Sequence, residues 1–171
     1  MTLSRMVIAM GVMLAGALAG IGTFAEEQKT GDHGSGSAHV VKTSSEITWG
    51  DAPAALPKGA KLAVIQGDPS AAGEVVTVRL KMPKGYAIAP HFHPTDEAVT
   101  VLSGSFSMGM GDKLDKKAAK TLGPGGWGLM PKGEHHYAIA NADTVVQVHL
   151  IGPVAITYVN PADDPQTKAG R

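Results

Sequence analysis

The sequence predicts an all-β fold, a sandwich or closed barrel of short antiparallel strands, and three observations predict it. Runs of alternating apolar and polar residues recur, with turn signals every eight to twelve residues. Glycine (22) and proline (11) are plentiful and aromatics make up only 5% of the chain, a balance that suits turns and strands better than long helices. No amphipathic helix of useful length and no internal repeat breaks the pattern. At 171 residues the chain holds one domain with a real core and not two.

Residues 1–25 read as a secretory signal. Arg5 supplies the positive charge, Met6 to Ala19 is apolar and rich in Ala, Gly and Met, and Ala25 or Ala19 offers the small residue before cleavage. The alternative is an uncleaved anchor, because the apolar stretch has the length of a bilayer core, about 20 residues. Residues 26–45 are polar and Gly/Ser-rich, a flexible linker in which His33 and His39 are solvated. Residues 46–160 carry the β pattern and residues 161–171 form a polar C-terminal tail.

Within the β region, residues 47–49 suggest a short strand and residues 51–59, with two prolines, a loop. Residues 61–67 form a strand ended by the Gly67-Asp68-Pro69 turn. Residues 74–82 alternate cleanly, with Val76, Val78, Leu80 and Met82 on one face and Thr77, Arg79 and Lys81 on the other. A turn at Pro83-Lys84-Gly85 leads into residues 85–104, GYAIAPHFHPTDEAVTVLSG. His91, His93 and Glu97 have equal parity there, so an extended segment points them the same way, with Pro94 bending the path. Two imidazoles and a carboxylate on an apolar sheet are costly to bury unless something coordinates them, and a divalent cation does so. The chain bends again near Gly104, and Phe106, Met108 and Met110 then share a face. Residues 112–120 are a charge run, read as a short helix or a solvated loop. Gly125 to Asn141 holds the Pro131-Lys132-Gly133 turn, which delivers His135 and His136 to the next strand facing opposite ways. Residues 144–151 and 154–159 are the closing strands.

These residues resemble the two motifs of the cupins. Gly85, His91, His93, Glu97 and Gly104 match every spacing of the first motif, and Gly125, Pro131, Gly133 and His136 match the second. The closing Asn of the second motif is Ala140 here, with Asn141 one later. The resemblance covers about residues 47–159. It implies a single-domain cupin jelly-roll, a double-stranded β-helix barrel of two antiparallel sheets whose inner wall carries a metal site of His91, His93, Glu97 and His136. Cupins commonly pair as dimers, so the resemblance also implies a homodimer.

Three neutral imidazoles and one carboxylate leave one or two positions open on a divalent transition metal. Fe(II) or Mn(II) is favoured, with Ni, Co, Cu or Zn as alternatives. Beyond the ligands, His149 and Gln147 lie on one face of residues 144–151, opposite Val146, Val148 and Leu150. If that face points inward, His149 is a base or a substrate contact. Tyr86, Phe106, Met108 and Trp127 are further candidates to line a substrate pocket, and plain core is the other reading of them. There is no cysteine, so disulfides, thiolate metal sites and Cys nucleophiles are excluded. Formal net charge is zero with no basic block, so nothing points to nucleic acid or, once the signal is removed, to a membrane. No Ser-His-Asp arrangement, phosphate loop or dinucleotide-binding Gly pattern occurs.

The expected function is therefore that of an exported, periplasmic, mononuclear-metal protein taking a small-molecule ligand. It is an oxygenase acting on a chelating diketone, diol or enol, or a non-catalytic binding or sensing module, with an isomerase or epimerase as a third option. On the export reading, the protein recovered from the bacterial envelope begins at Glu26 or Gly20. Intact-mass spectrometry checks this, and a retained residue 1 would support the anchor instead.

Overall fold

A computed structural model describes residues 39–168. The expected signal segment and most of the linker, His33 included, lie outside the described residues, while His39 is within them and exposed. Eleven strands follow in order: β1 (Gly50–Asp51), β2 (Lys61–Gln66), β3 (Val75–Met82), β4 (Ala87–Phe92), β5 (Glu97–Ser103), β6 (Phe106–Met110), β7 (Lys120–Leu122), β8 (Trp127–Met130), β9 (His136–Ala140), β10 (Thr144–Ile151) and β11 (Thr157–Tyr158). They build a six-stranded sheet, β1-β2-β3-β10-β5-β8, and a five-stranded sheet, β11-β4-β9-β6-β7. Every pairing is antiparallel. The two sheets form the jelly-roll that the motifs imply. Among the described residues no helix is long and apolar enough to cross a membrane.

The core is the predicted alternation made physical. Val76, Val78, Leu80 and Met82 of β3 are each no more than 7% exposed. In register beside them on β10 stand Leu150, Val148, Val146 and Thr144. Side chains of even number on these strands share the inner face because strand side chains alternate. Val99 and Val101 of β5, Phe106 and Met108 of β6, Ile88 of β4 and Ala138 of β9 complete the packed interior. Met110 keeps the parity of Phe106 and Met108 but is exposed, since β6 ends there. Thr77 points outward and is nevertheless buried, its hydroxyl paired with His149 Nδ1 at 3.1 Å.

Two glycines are required by close approach. Gly104 has φ +86° and turns β5 into β6, and a Cβ there would collide with the Asp143 carbonyl oxygen. Gly109 lies under the Tyr137 ring, which occupies the space a side chain would need. Tyr137 is fully buried on the outer face of its sheet, and its hydroxyl donates to the Asp115 carbonyl at 2.7 Å. The charge run is thus a loop with one tight turn, not a helix, and Tyr137 anchors it.

Two expected strands differ from those observed. Residues 47–49 are unpaired, and the first strand begins at Gly50, where Asp51 pairs with Lys61 in register and accepts from its ammonium at 2.6 Å. Trp49 instead lies beneath the Lys81 ammonium, 4.4 Å from its ring centroid. The closing strand shrinks from residues 154–159 to Thr157–Tyr158. The chain just before it leaves the ladder, with Val154 N donating to the Pro69 carbonyl and the Ala155 carbonyl accepting from His93.

The loop between β1 and β2 is tied down by two tyrosines. Tyr158 Oη donates to the Ala55 carbonyl at 2.8 Å and Tyr86 Oη to the Pro57 carbonyl at 2.6 Å. Burial pushes both phenols up, Tyr158 to about 12, so they remain donors at neutral pH. Replacing both (Tyr86→Phe with Tyr158→Phe) removes two bonds worth about 1 kcal/mol each. Hydrogen exchange should then speed up across residues 54–60 and stay unchanged in β3 and β10. Equal protection in parent and variant would contradict the anchoring role.

Candidate metal centre

The expected ligands sit where strands of both sheets begin or end. His91 is the penultimate residue of β4, His93 lies just past it, Glu97 opens β5 and His136 opens β9. His91 and His136 are direct cross-strand partners. The β4–β9 ladder shifts register between Ile88 and His91, at a stretch containing Pro90, whose nitrogen has no hydrogen to donate. The turn after His93 and the turn before His136 clasp each other: Gly133 N donates to the His93 carbonyl at 3.0 Å, and Lys132 N to Asp96 Oδ1 at 2.8 Å. That clasp brings residues some forty positions apart in sequence to one point.

Each imidazole is aimed by its own backbone acceptor. His91 Nδ1 donates to the Ala89 carbonyl at 2.8 Å, His93 Nδ1 to Ala155 at 2.7 Å and His136 Nδ1 to Glu134 at 3.0 Å. A carbonyl can only accept, so each Nδ1 carries a hydrogen and Nε2 is the ring nitrogen turned inward. The three rings are buried, and their ligand atoms all lie within 4.8 Å of one another. These three histidines could hold a metal ion.

Glu97 completes the cluster. Its Oε2 stands 3.2 Å from His136 Nε2 and 3.6 Å from His93 Nε2, with 13% of the side chain exposed. His93 Nε2 and His136 Nε2 are buried and have no hydrogen-bond partner. Two buried imidazole nitrogens thus stand beside a carboxylate oxygen, an arrangement that a cation would bridge. Burial pushes the Glu97 carboxyl up, but His136 at close range and the neighbouring imidazoles outweigh it, leaving its pKa below the usual value. Burial, with His136 next, pushes His91 down to about 3. An ionised carboxylate beside a neutral imidazole is the protonation state that ligation requires. The donor set fits one divalent cation.

A cavity of about 180 Å³ opens directly on His91, His93 and Glu97. Its wall is apolar, with Leu56, Leu62, Ile88, Val148, Leu150 and Ile156 among its residues. None of the six residues proposed from sequence to line a substrate pocket belongs to it. Gln147 and His149 project from the outer face of β10, because its even-numbered residues face inward. There Gln147 Oε1 accepts from Arg79 at 2.9 Å, and Gln147 Nε2 lies 3.1 Å from His149 Nε2. Trp127 is 58% exposed, while Phe106 and Met108 are core and Tyr86 holds the β1–β2 loop. His135 faces away from His136, as expected of neighbours on a strand, and pairs with Asp112 at 2.6 Å. Sequence reasoning missed Leu56 because a loop residue carries no periodic signal, and Ile156 because residues 154–159 read as a regular closing strand, which the structure shortens to Thr157–Tyr158. Val148 and Leu150 carry such a signal, on the face of residues 144–151 opposite Gln147 and His149, with the inward face left open by the sequence.

The sequence matches the family described as the ChrR cupin-like domain over residues 37–155. No curated protein matches the chain. Among solved structures it is similar to the polyketide cyclase RemF from Streptomyces resistomycificus, at 18% identity and a TM-score of 0.62, covering 78% of this chain and 94% of that one. A candidate acetylacetone dioxygenase from Methylibium petroleiphilum PM1 matches at 18% identity and a TM-score of 0.58, covering 77% and 88% respectively. KdgF from Halomonas sp. matches at 19% identity and a TM-score of 0.51, covering 67% and 96%. At such identities these likenesses concern the fold.

Protein purified without an affinity tag should carry close to one equivalent of divalent metal by elemental analysis, and His136→Ala and Glu97→Ala should lose it. Metal at about a thousand times its dissociation constant should stabilise the parent by about 4 kcal/mol. His136→Ala should gain nothing under the same conditions. A metal-free parent that does not respond to added cations would refute the centre.

Proposed function

We propose, for a chain that belongs to the ChrR cupin-like family of the cupin superfamily, that it is an exported mononuclear-metal protein acting as an oxygenase on a small chelating substrate. Membership by itself names no reaction, because the fold carries many chemistries. The carrying observation is local: orphaned Nε2 atoms and the Glu97 carboxylate converge at the inner end of an apolar cavity.

In this reading His91, His93 and His136 present Nε2, and Glu97 contributes the one anionic ligand. Fe(II) or Mn(II) suits three nitrogens and one oxygen with positions left open. When bound, such a metal supplies Lewis acidity, an anchor for a chelating oxygen pair and redox access to dioxygen. The chain's own residues do the rest. Backbone carbonyls lock the rings, and the apolar wall holds the substrate's body and keeps water from the reacting end. Export rests on the N-terminal sequence pattern and belongs to the same proposal.

One observation favours a second reading, a periplasmic binding or sensing module. The titratable side chains on the cavity wall are His91, His93 and Glu97, all ligand candidates, so no separate acid or base faces a bound molecule. The same fact weighs against an isomerase or epimerase, which must move protons at carbon.

Fe- or Mn-loaded protein offered acetylacetone, a catechol and a stable enol should consume about one dioxygen per substrate with at least one of them, followed at an oxygen electrode. Glu97→Ala should be inactive in the same assay. No uptake with any of the three would overturn the oxygenase reading. Tight binding of a molecule recovered unchanged would favour the binding module.

A further inference from the structure

We infer that the ligand of this cavity is an uncharged molecule with a single chelating oxygen end and a compact apolar body, and that sugars and carboxylate-bearing molecules are rejected. The inference rests on the metal reading above and names the class of molecule that site would take.

The wall carries it. Apart from His91, His93 and Glu97, the lining side chains are Pro, Ala, Leu, Val and Ile, with no Lys, Arg, Ser, Thr, Asn or Gln. A charged or hydroxylated body would lose its water there and meet no side-chain donor. Two backbone acceptors at the wall already have partners. The Ala55 carbonyl accepts from Tyr158 and the Ala155 carbonyl from His93, and both residues line the cavity. The polar capacity of the site is thus concentrated at its metal end.

Size narrows the class further. An apolar cavity of about 150 Å³ takes benzene. The 180 Å³ here therefore suits a molecule of about six to nine non-hydrogen atoms. Part of the wall comes from two segments outside the regular strands, Pro53, Ala55 and Leu56 before β2 and Val154 to Ile156 before β11. Body length is consequently read by segments that can be altered without disturbing a strand ladder.

The test uses two probes with the same chelating end. In 2,4-heptanedione one propyl tail is apolar, and 4,6-dioxoheptanoate replaces the terminal methyl of that tail by a carboxylate. Binding to Fe(II)-loaded protein is measured by calorimetry under nitrogen, so no turnover is needed. Metal content is determined first on the same sample. The neutral diketone should bind at least ten-fold more tightly than the carboxylate. Ile156→Ala should shift preference toward the longer 2,4-nonanedione by at least five-fold relative to 2,4-heptanedione, with metal content unchanged. A loaded protein that binds the carboxylate equally or better, or binds neither diketone, overturns the inference while leaving the metal centre standing. A protein that takes up no metal fails at the first step, and that result overturns the underlying reading instead.

Discussion

The structure depends on one electrostatic constraint: three imidazoles and a carboxylate facing one another inside an apolar barrel. Once three Nδ1 hydrogens are committed to backbone carbonyls, the opposite nitrogens cannot satisfy each other. The Glu97 oxygen stands 3.2 Å from one of them and 3.6 Å from another. Left alone, the cluster is destabilising, because buried polar groups without partners cost about 1–3 kcal/mol each. A cation at the centre reverses the sign of every one of those interactions. The Gly133 and Lys132 amides, by clasping the two turns, bring the four groups into that arrangement.

The barrel supports this in a simple way. Even-numbered residues of β3 and β10 face inward along matched registers, so the same alternation that builds the core also builds the cavity wall. Val148 and Leu150 belong at once to packing and to ligand selection. The outer face carries a separate polar network of Thr77, His149, Gln147 and Arg79, which shares no atom with the centre.

Much of the site was legible in sequence because its signal is local. Equal parity placed His91, His93 and Glu97 together, and a Pro-x-Gly turn placed His136 opposite His135. The wall was less legible for two physical reasons. The parity of a strand does not say which face is the inner one, so His149 and Gln147 were as eligible as Val148 and Leu150 until the packing of β10 against β3 settled it. Leu56 lies in a loop whose neighbours Ala55 and Pro57 are held by Tyr158 and Tyr86, and Ile156 lies where the expected strand leaves the ladder as Val154 bonds to Pro69; such long-range bonds leave no periodic trace. Trp127 illustrates the converse, a large apolar residue on an edge strand that faces solvent.

Tyr158 joins parts of the molecule otherwise described separately. Its ring lies 6.1 Å from that of His91, its strand pairs with His91 in register, and its hydroxyl holds the Ala55 carbonyl of the loop over the cavity. Retention of a cation at the centre and ordering of that loop would therefore be linked through one side chain. Linkage is reciprocal in free energy: whatever steadies the loop, a well-fitting organic ligand included, would tighten the hold on an ion by the same coupling with which the ion would steady the loop. Such a protein would then hold a cation most firmly when its organic ligand is present.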